Sequence, residues 1–362
     1  DYDSTRMDFA YGAPINDEWS FHVGGFYRQG EGVRETGFNG NEGGQIKLSL
    51  TRDFENGSAR VYAKVLDDKT TTYLPMPMEA DGSSISGMDA LTSSNIPRGL
   101  SRVRTGDGGT SVRNSSATDG SRVESTVIGG EFEIEISEDL TLREKFRLAK
   151  NSGKFFGVFT AAIGDATIPD AISSAFNGQG VDGLAYATGA GAGTVMSQAQ
   201  LANLNGNGLI QNLRTFDNDI NSLDNFSNDL SITKRIDNTE VTLGYYTASQ
   251  DIDINWYWQT YLADVSDDPR LLDAYSGGNQ LTTGGHIAYG APDWGFCCYR
   301  DTALETNLDA YYIAVSSDVS EDLTLSASVR RDSGEGVGHY AFGANNSVDF
   351  DGDGNISLAE SN

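Results

Sequence analysis

Hydrophobicity with a period of two residues runs through much of this chain, in pairs of segments of about ten residues each. In the segment GEFEIEISEDLTLREKFRL, residues 130–148, Phe132 and Ile134 share one face. Glu133 and Glu135 share the other face. Because successive side chains of a β-strand point to opposite faces, such segments predict strands with one apolar and one polar face.

Short polar turns join the two segments of each pair, whereas far longer stretches rich in Gly, Ser, Asn and Asp separate the pairs. We expect ten strands, near residues 2–11, 18–29, 44–54, 58–68, 122–136, 139–150, 226–236, 239–250, 304–317 and 321–332. The long stretches lie near residues 30–43, 69–121, 151–225, 251–303 and from 333 onward. Short turns on one side and long extracellular loops on the other are typical of outer-membrane β-barrels. The sequence therefore predicts an all-β fold, an antiparallel up-and-down transmembrane β-barrel over residues 1–332, followed by an extracellular loop over residues 333–362.

The hairpin within residues 130–148 also predicts a register. A three-residue loop at residues 137–139 would place Ile134 opposite Leu142 on the apolar face. The same loop would place Glu133 opposite Arg143 on the polar face. Opposite charges would then meet across the two strands, which favours this pairing.

Three further hairpins carry recognisable turns. Asn56-Gly57 is a strong turn signal and would place Leu50 opposite Ala63. A turn at Asn238-Thr239 predicts another hairpin in the same way. Residues 320–325 repeat the string SEDLTL of the first hairpin and predict a fourth.

Composition limits the possible functions. The net charge of −27 argues against a nucleic-acid partner, since phosphate binding requires clustered Lys and Arg. No apolar run approaches the roughly twenty residues that a membrane-spanning helix needs. The three histidines, His22, His286 and His339, have neither a zinc-like spacing nor a nucleophile to support, so we expect no enzyme activity. Cys297 and Cys298 are adjacent, a bond between them would be strained, and the sequence leaves their state open.

Three groups of side chains are candidates for specific roles. A charged set shares the predicted inner face and would form structural ion pairs or contact an interior plug: Arg6, Asp8, His22, Arg28, Lys47, Arg60, Lys64, Arg143 and Arg147. Aromatic residues near strand ends could form interfacial girdles, although aromatic residues are also good strand formers: Tyr11, Trp19, Tyr27 and Phe54. A third set lies on a predicted loop, where either ligand contact or packing against other loops would explain it: Trp256, Tyr257, Trp258 and Tyr261.

Residues 19–75, WSFHVGGFYRQGEGVRETGFNGNEGGQIKLSLTRDFENGSARVYAKVLDDKTTTYLP, resemble the first barrel hairpins of TonB-dependent outer-membrane receptors. Residues 228–249, NDLSITKRIDNTEVTLGYYTAS, resemble a later hairpin of this family, and WYWQTYLADVS resembles one of its loops. The resemblance implies a monomeric receptor in the lipid of the outer membrane, with a barrel of about 22 strands and an N-terminal plug. It also implies TonB-energised uptake of a scarce nutrient such as a ferric siderophore, a cobalamin or an oligosaccharide.

The chain departs from the family pattern at its beginning. It opens on strand-like sequence and carries neither a signal peptide, nor the plug, nor the segment that contacts TonB. We therefore expect a partial barrel of about ten strands, whose contact with the TonB complex would be made by the missing plug domain.

The segment DFDGDGNISLAE, residues 349–360, matches the twelve-position calcium loop. Gly354 occupies the position of the sharp turn. The ligand positions are filled by Asp349, Asp351, Asp353, Asn355, Ser357 and Glu360. Because calcium prefers several oxygen ligands at once, we expect a structural Ca²⁺ site in an extracellular segment.

Two other functions remain open at this point. A passive porin-like channel would have the same alternating strands without an energised transport step. A secreted calcium-dependent adhesin or carbohydrate-binding β-protein would explain the acidic, Gly-rich composition and the terminal calcium loop, but it explains the apolar strand faces poorly.

Overall fold

The structure is a computed structural model that describes residues 3–105, 112–169, 180–294 and 297–344. Its strands are β1 Ser4–Pro14, β2 Trp19–Gly30, β3 Asn41–Phe54, β4 Gly57–Thr70, β5 Ser101–Thr105, β6 Val112–Ser116, β7 Ser121–Ser137, β8 Leu140–Asp165, β9 Gly183–Tyr186, β10 Leu209–Ser222, β11 Asn225–Ile236, β12 Thr239–Asp264, β13 Leu272–Ser276, β14 Asn279–Gln280, β15 His286–Tyr289, β16 Cys297–Ser320 and β17 Leu323–Ala344. The helical elements are α1 Gln198–Leu201 and two 3₁₀ turns, Leu204–Gly206 and Pro292–Trp294.

Twelve of these strands form one antiparallel sheet with an up-and-down order. The sheet runs β1-β2-β3-β4-β7-β8-β10-β12-β16-β17, with β15 beside β12. β11 pairs with the first halves of β8 and β12, and β10 pairs with their second halves, so β10 and β11 together fill one strand position. The expected all-β antiparallel fold is confirmed, and each of the ten expected strands is present.

One face of the sheet is apolar and exposed, and we call it the outer face. A row of apolar side chains crosses six paired strands: Ile134, Leu142, Ile232, Leu243, Ile313 and Val329. Leu243 is 53% exposed and Val329 is 70% exposed. The opposite, inner face carries the polar residues that alternate with this row, such as Glu133 and Arg143. A continuous apolar surface of this extent is far larger than the scattered apolar residues of an ordinary soluble surface.

The apolar region of the outer face has a defined height. On β7 it extends from Thr126 to Ile136, ten residues apart, which corresponds to about 33 Å along the strand. A strand tilt of about 40° reduces this to about 25 Å, the height of the apolar band of a membrane barrel. Beyond it, at the end with the long connections, Arg122 forms an ion pair with Asp67 at 2.7 Å on the same face. We call this end of the sheet the loop end, and the end with the short hairpins the turn end.

The first hairpin has the expected register but a different turn. Ile134 lies opposite Leu142, and the Arg143 Nε donates to Glu133 at 2.8 Å. The turn contains two residues rather than the expected three, because a β-bulge between Glu135 and Ser137 absorbs one residue. The bulge restores the pairing that a longer loop would have produced.

The turns of the second and third hairpins lie one residue earlier in the chain than expected. The register of each hairpin therefore differs by two residues from the expected one. Leu50 lies opposite Val61 rather than Ala63, because the turn is formed by residues 55–56. Gly57 is instead the first residue of β4, where an added Cβ would overlap the backbone of β7. A two-residue shift leaves every side chain on its expected face.

The hairpin between β11 and β12 follows the same pattern. Its turn is formed by residues 237–238 rather than 238–239, and Ile232 therefore lies opposite Leu243. Asp237 adopts a φ of +52°, a left-handed conformation that Asp tolerates better than most residues.

Several segments expected to be loops are strands. β8 continues to Asp165, β12 continues to Asp264, and β16 begins at Cys297. The expected loop from residue 333 onward is wrong over residues 333–344, because β17 extends to Ala344. Residues 345–362 lie outside the described part of the chain.

The packed core lies at the loop end. Leu184, Ile210, Leu262, Leu272 and Ile287 are fully buried in one cluster built from the strands and connections there. Within the described residues, none of the helices has the length and apolar character needed to cross a membrane. This buried cluster packs the loop-end parts of the strands together and so fixes the positions of the side chains at that end.

Candidate functional site

Six aromatic side chains gather at the loop end, on strands β8, β10 and β12 and on the 3₁₀ turn before β16. Period-two alternation from Arg147 along β8 and from Tyr246 along β12 places the strand residues on the inner face. We call this group the aromatic shelf, and it consists of Phe155, Phe159, Phe216, Trp256, Trp258 and Trp294.

Phe216 lies at the centre of the aromatic shelf. Its ring centroid is 4.8 Å from that of Trp258, 5.0 Å from that of Trp256 and 5.2 Å from that of Phe155. The planes of Phe216 and Trp256 are inclined at 87°, the edge-to-face arrangement that aromatic quadrupoles favour. The shelf is thus a continuous aromatic surface in which every ring contacts at least one other.

Backbone pairing explains why these rings meet. Phe216 lies directly opposite Trp258 on β12 and opposite Gly157 on β8. An added Cβ at Gly157 would come 2.6 Å from the Leu74 Cδ1 and 3.4 Å from the Phe155 ring. Glycine at this position therefore allows Leu74 to close one side of the shelf.

Trp294 covers the end of the shelf nearest the 3₁₀ turn. Its ring centroid lies 5.4 Å from that of Trp258 and 6.5 Å from that of Phe159. The Trp294 side chain is 51% exposed, whereas the other five rings are half-buried. Trp294 is therefore the most accessible ring of the shelf.

Two guanidinium groups stack on the indoles of the shelf. The Arg214 Cζ lies 4.6 Å from the Trp294 ring centroid, and the Arg300 Cζ lies 4.5 Å from that of Trp256. Arg214 is only 2% exposed, and burial lowers the pKa of its guanidinium from the ordinary value. Such cation–π contacts hold positive charge beside flat apolar surfaces.

The Trp258 Nε1 is buried and has no hydrogen-bond partner among the described residues. A buried indole N–H normally finds an acceptor. Flat rings, two stacked guanidiniums and a donor in need of an acceptor together suit a ligand that combines planar or ring-shaped apolar groups with anionic oxygens.

The aromatic segment that sequence analysis placed on a loop is part of β12. Trp256 and Trp258 belong to the shelf on the inner face, whereas Tyr257 and Tyr261 lie on the outer face and are 6% and 2% exposed. Tyr261 is buried with Ile96 under the connections that cover this part of the sheet. The loop placement was therefore wrong. Packing explains the two tyrosines, and ligand contact remains a hypothesis for the two tryptophans.

The charged inner-face residues differ in their partners. Arg6 pairs with Asp8 at 2.8 Å, Arg28 pairs with Asp68 at 2.7 Å, and Arg143 pairs with Glu133, which confirms structural ion pairs for these arginines. Arg147 donates to the Asn225 side chain at 2.6 Å instead. Among the described residues, three cations of the set take part in no ion pair: Lys47, Arg60 and Lys64.

All four aromatics proposed as a girdle lie on the outer face. Trp19 and Phe54 lie near the turn end, where the Arg52 guanidinium is 5.4 Å and 5.6 Å from their ring centroids. Tyr11 is 63% exposed and Tyr27 is 48% exposed. Their shared face agrees with an interfacial role, which stays a prediction.

The calcium loop, with Asp349, Asp351, Asp353, Asn355, Ser357 and Glu360, lies outside the described residues. Elsewhere in the described part of the chain, no three His, Cys, Asp or Glu side chains are grouped to hold a metal ion. Cys298 is disulfide-bonded, which resolves a state that the sequence left open.

The chain is similar to several solved structures. One is BauA, the ferric preacinetobactin receptor from Acinetobacter baumannii, at 13% identity over 91% of this chain and 42% of that chain, with a TM-score of 0.36. Another is FpvA from P. aeruginosa bound to heterologous pyoverdines, at 11% identity over 95% of this chain and 37% of that chain, with a TM-score of 0.45. A third is the ferric-catecholate import receptor Fiu from E. coli K12, at 10% identity over 92% of this chain and 43% of that chain, with a TM-score of 0.45.

This chain thus spans less than half the length of each of these three structures. No protein-family model matches the chain, and no curated protein matches it.

Proposed function

We propose that this chain is the barrel part of an outer-membrane receptor that takes up a scarce nutrient such as a ferric siderophore, energised through TonB. The observation that carries the proposal is the outer face, an exposed apolar band about 25 Å tall that crosses the sheet from strand to strand. The contact with the TonB complex would be made by a plug domain outside these residues.

The two faces of the sheet support the membrane position. Exposed apolar residues such as Leu48, Ile128 and Leu148 would cost free energy in water but would be favourable against lipid tails. Within the band this face carries the charge of Glu144, which lies opposite Phe132 and accepts a hydrogen bond from the Asn228 side chain. Beyond the band it carries the ion pair of Arg122 and Asp67. Every apolar strand face thus finds a suitable environment in one orientation of the sheet across the membrane.

The aromatic shelf is the proposed ligand site. It lies at the loop end, which faces the outside of the cell in this orientation, and Trp294 is its most accessible ring. Siderophores combine ring-shaped or planar groups with anionic oxygens, and the stacked Arg214 and Arg300 suit that chemistry. The sequence resemblance over residues 19–75 supports the same class of function.

A passive porin-like channel remains the second candidate. The unpaired Lys47, Arg60 and Lys64 on the inner face would suit a water-filled lumen. A channel would admit solutes without a dedicated aromatic site, so removal of the shelf separates the two functions.

The test uses bacteria that depend on the full-length protein for iron, supplied as a ferric hydroxamate or a ferric catecholate. Replacing Trp256 and Trp258 together with alanine should abolish growth on the transported compound, because the ligand loses two stacking surfaces. The matched control is Trp19→Ala, which removes a tryptophan from the outer face. Immunoblots of membrane fractions check that each variant reaches the membrane.

Growth of the double variant at the parent's rate, with equal protein in the membrane, would rule out the shelf as the uptake site. A passive channel would be favoured if the parent protein supported growth on neither ferric compound and if small uncharged sugars passed through the parent and the double variant at the same rate.

A further inference from the structure

A cavity of about 640 Å³ opens on the inner face near the middle of strands β1 to β4, β7 and β8. We propose that this cavity is a binding site for a small multivalent oxyanion, that is, a molecule carrying several phosphate or carboxylate groups. The proposal goes beyond the uptake function and does not depend on it, because it concerns the charges of the cavity alone.

Four cations line the cavity on three strands. Lys47 on β3 and Lys64 on β4 lie directly opposite each other. Arg60 precedes Lys64 by four residues on the same face of β4. Arg147 completes the group from β8. Like charges that face each other across a strand pair destabilise the pair unless something neutralises them.

The floor of the cavity is formed by two flat rings that lie on glycines. An added Cβ at Gly129 would overlap the Tyr62 ring, so glycine at this position allows that ring to lie across β7. An added Cβ at Gly12 or Gly24 would come 3.2 Å or 3.3 Å from the His22 imidazole. Glycine at these positions therefore leaves room for the Tyr62 and His22 rings, both of which line the cavity.

No salt bridge among the described residues neutralises this group, although Glu131 on β7 lies directly opposite Arg60. Among the described residues, Lys47, Arg60 and Lys64 form no ion pair, and Arg147 donates to the neutral Asn225 side chain. The one carboxylate that lines the cavity, Asp8, is already held by Arg6 at 2.8 Å, a residue outside the lining.

The charge of the cavity is opposite to that of the chain. Its lining holds four Lys or Arg and one Asp, a formal net charge of +3, whereas the whole chain has a formal net charge of −27, with His counted as neutral in both. Carboxylates are therefore abundant in the sequence, yet only Asp8 lines this cavity. A concentrated positive charge in a concave site attracts anions and binds phosphate or carboxylate oxygens through charge-assisted hydrogen bonds.

The size and position of the cavity define a separate site. A volume of about 640 Å³ is within the range of small-molecule pockets. Arg147 precedes Phe155 of the aromatic shelf by eight residues, which corresponds to about 26 Å along β8. One small molecule cannot occupy both.

The proposal is tested by titrating inorganic pyrophosphate into the full chain in detergent micelles, with calorimetry as the readout. We expect saturable binding with one site per chain, and binding weakened by about tenfold or more in Lys64→Gln, because one charge-assisted contact is lost. Lys47→Gln should weaken binding to a similar extent. Because Lys47 is more exposed than Lys64, this variant serves as the test if Lys64→Gln does not fold.

The matched control is Lys145→Gln, which removes the same charge from the same face of β8 outside the cavity. Its affinity should stay within about twofold of the parent's. Absence of saturable binding to the parent would overturn the proposal. An equal loss of affinity in Lys145→Gln would also overturn it, because the anion would then be attracted by the charge of the whole inner face rather than by the cavity.

Discussion

Leu48 offers a quantitative test of the apolar band. It lies on the outer face of β3, six residues from Glu42 and six from Phe54, so it is near the middle of the band. Its side chain is 49% exposed, and its paired neighbours Val23 and Ala63 are also apolar. Arginine at this depth on a lipid-facing barrel surface costs about 2–4 kcal/mol.

A loss of about 2–4 kcal/mol corresponds to a change of about 30- to 700-fold in the unfolding equilibrium. Leu48→Arg should show this loss in urea unfolding of the chain in lipid vesicles, followed by tryptophan fluorescence. Thr242→Arg on the inner face of β12, whose paired neighbours are Thr233 and Ala314, is the control and should stay within about 0.5 kcal/mol of the parent, because that face is polar. Equal losses in both variants would refute the assignment of the outer face to lipid.

Three further predictions concern other parts of the chain. Gly129→Ala should destabilise the protein by about 1–3 kcal/mol, because the new Cβ displaces the Tyr62 ring, and urea unfolding measures the loss. Burial raises the pKa of the Asp273 carboxyl, although a hydrogen bond from the Gly285 N–H opposes the shift, so its protonated form favours the folded state. Stability should therefore fall as pH rises from the ordinary Asp value through the raised pKa, and Asp273→Asn should remove that part of the dependence of the melting temperature on pH. Calcium should bind the loop at residues 349–360, and Glu360→Gln should reduce the calorimetric heat; equal heats for variant and parent would exclude the site.

The strands that sequence analysis found are those with one apolar and one polar face. Near the turn end, Ile134 lies on the outer face and Glu133 on the inner face. Hydrophobicity therefore alternates along the sequence, and the strand can be predicted from it. The turns were less predictable, since glycine at position 57 is used for close strand packing rather than for the turn itself.

The strand β10 was missed because the alternation disappears where both faces are covered. Gln211 is fully buried there, and its amide donates to Asn95 at 3.1 Å and to the Asp264 carbonyl at 2.8 Å. A polar residue satisfied by distant partners makes the segment resemble a loop in sequence. Sequence analysis singled out only two of the six shelf residues, Trp256 and Trp258. Phe216 was missed because it lies on β10, and Phe155 and Phe159 were missed because they lie on the part of β8 that was expected to be a loop.

The most direct test of the central claim is site-directed spin labelling along β12 of the chain in lipid vesicles, with Cys297 and Cys298 first changed to serine. β12 is paired on both sides, so its labels report on the faces rather than on a strand edge. We expect labels at Leu243 and Tyr245 to be relaxed by oxygen, which partitions into lipid, and labels at Thr242 and Tyr246 to be relaxed by a water-soluble nickel chelate. Equal access of the nickel chelate to all four labels would contradict a sheet that separates lipid from an aqueous interior.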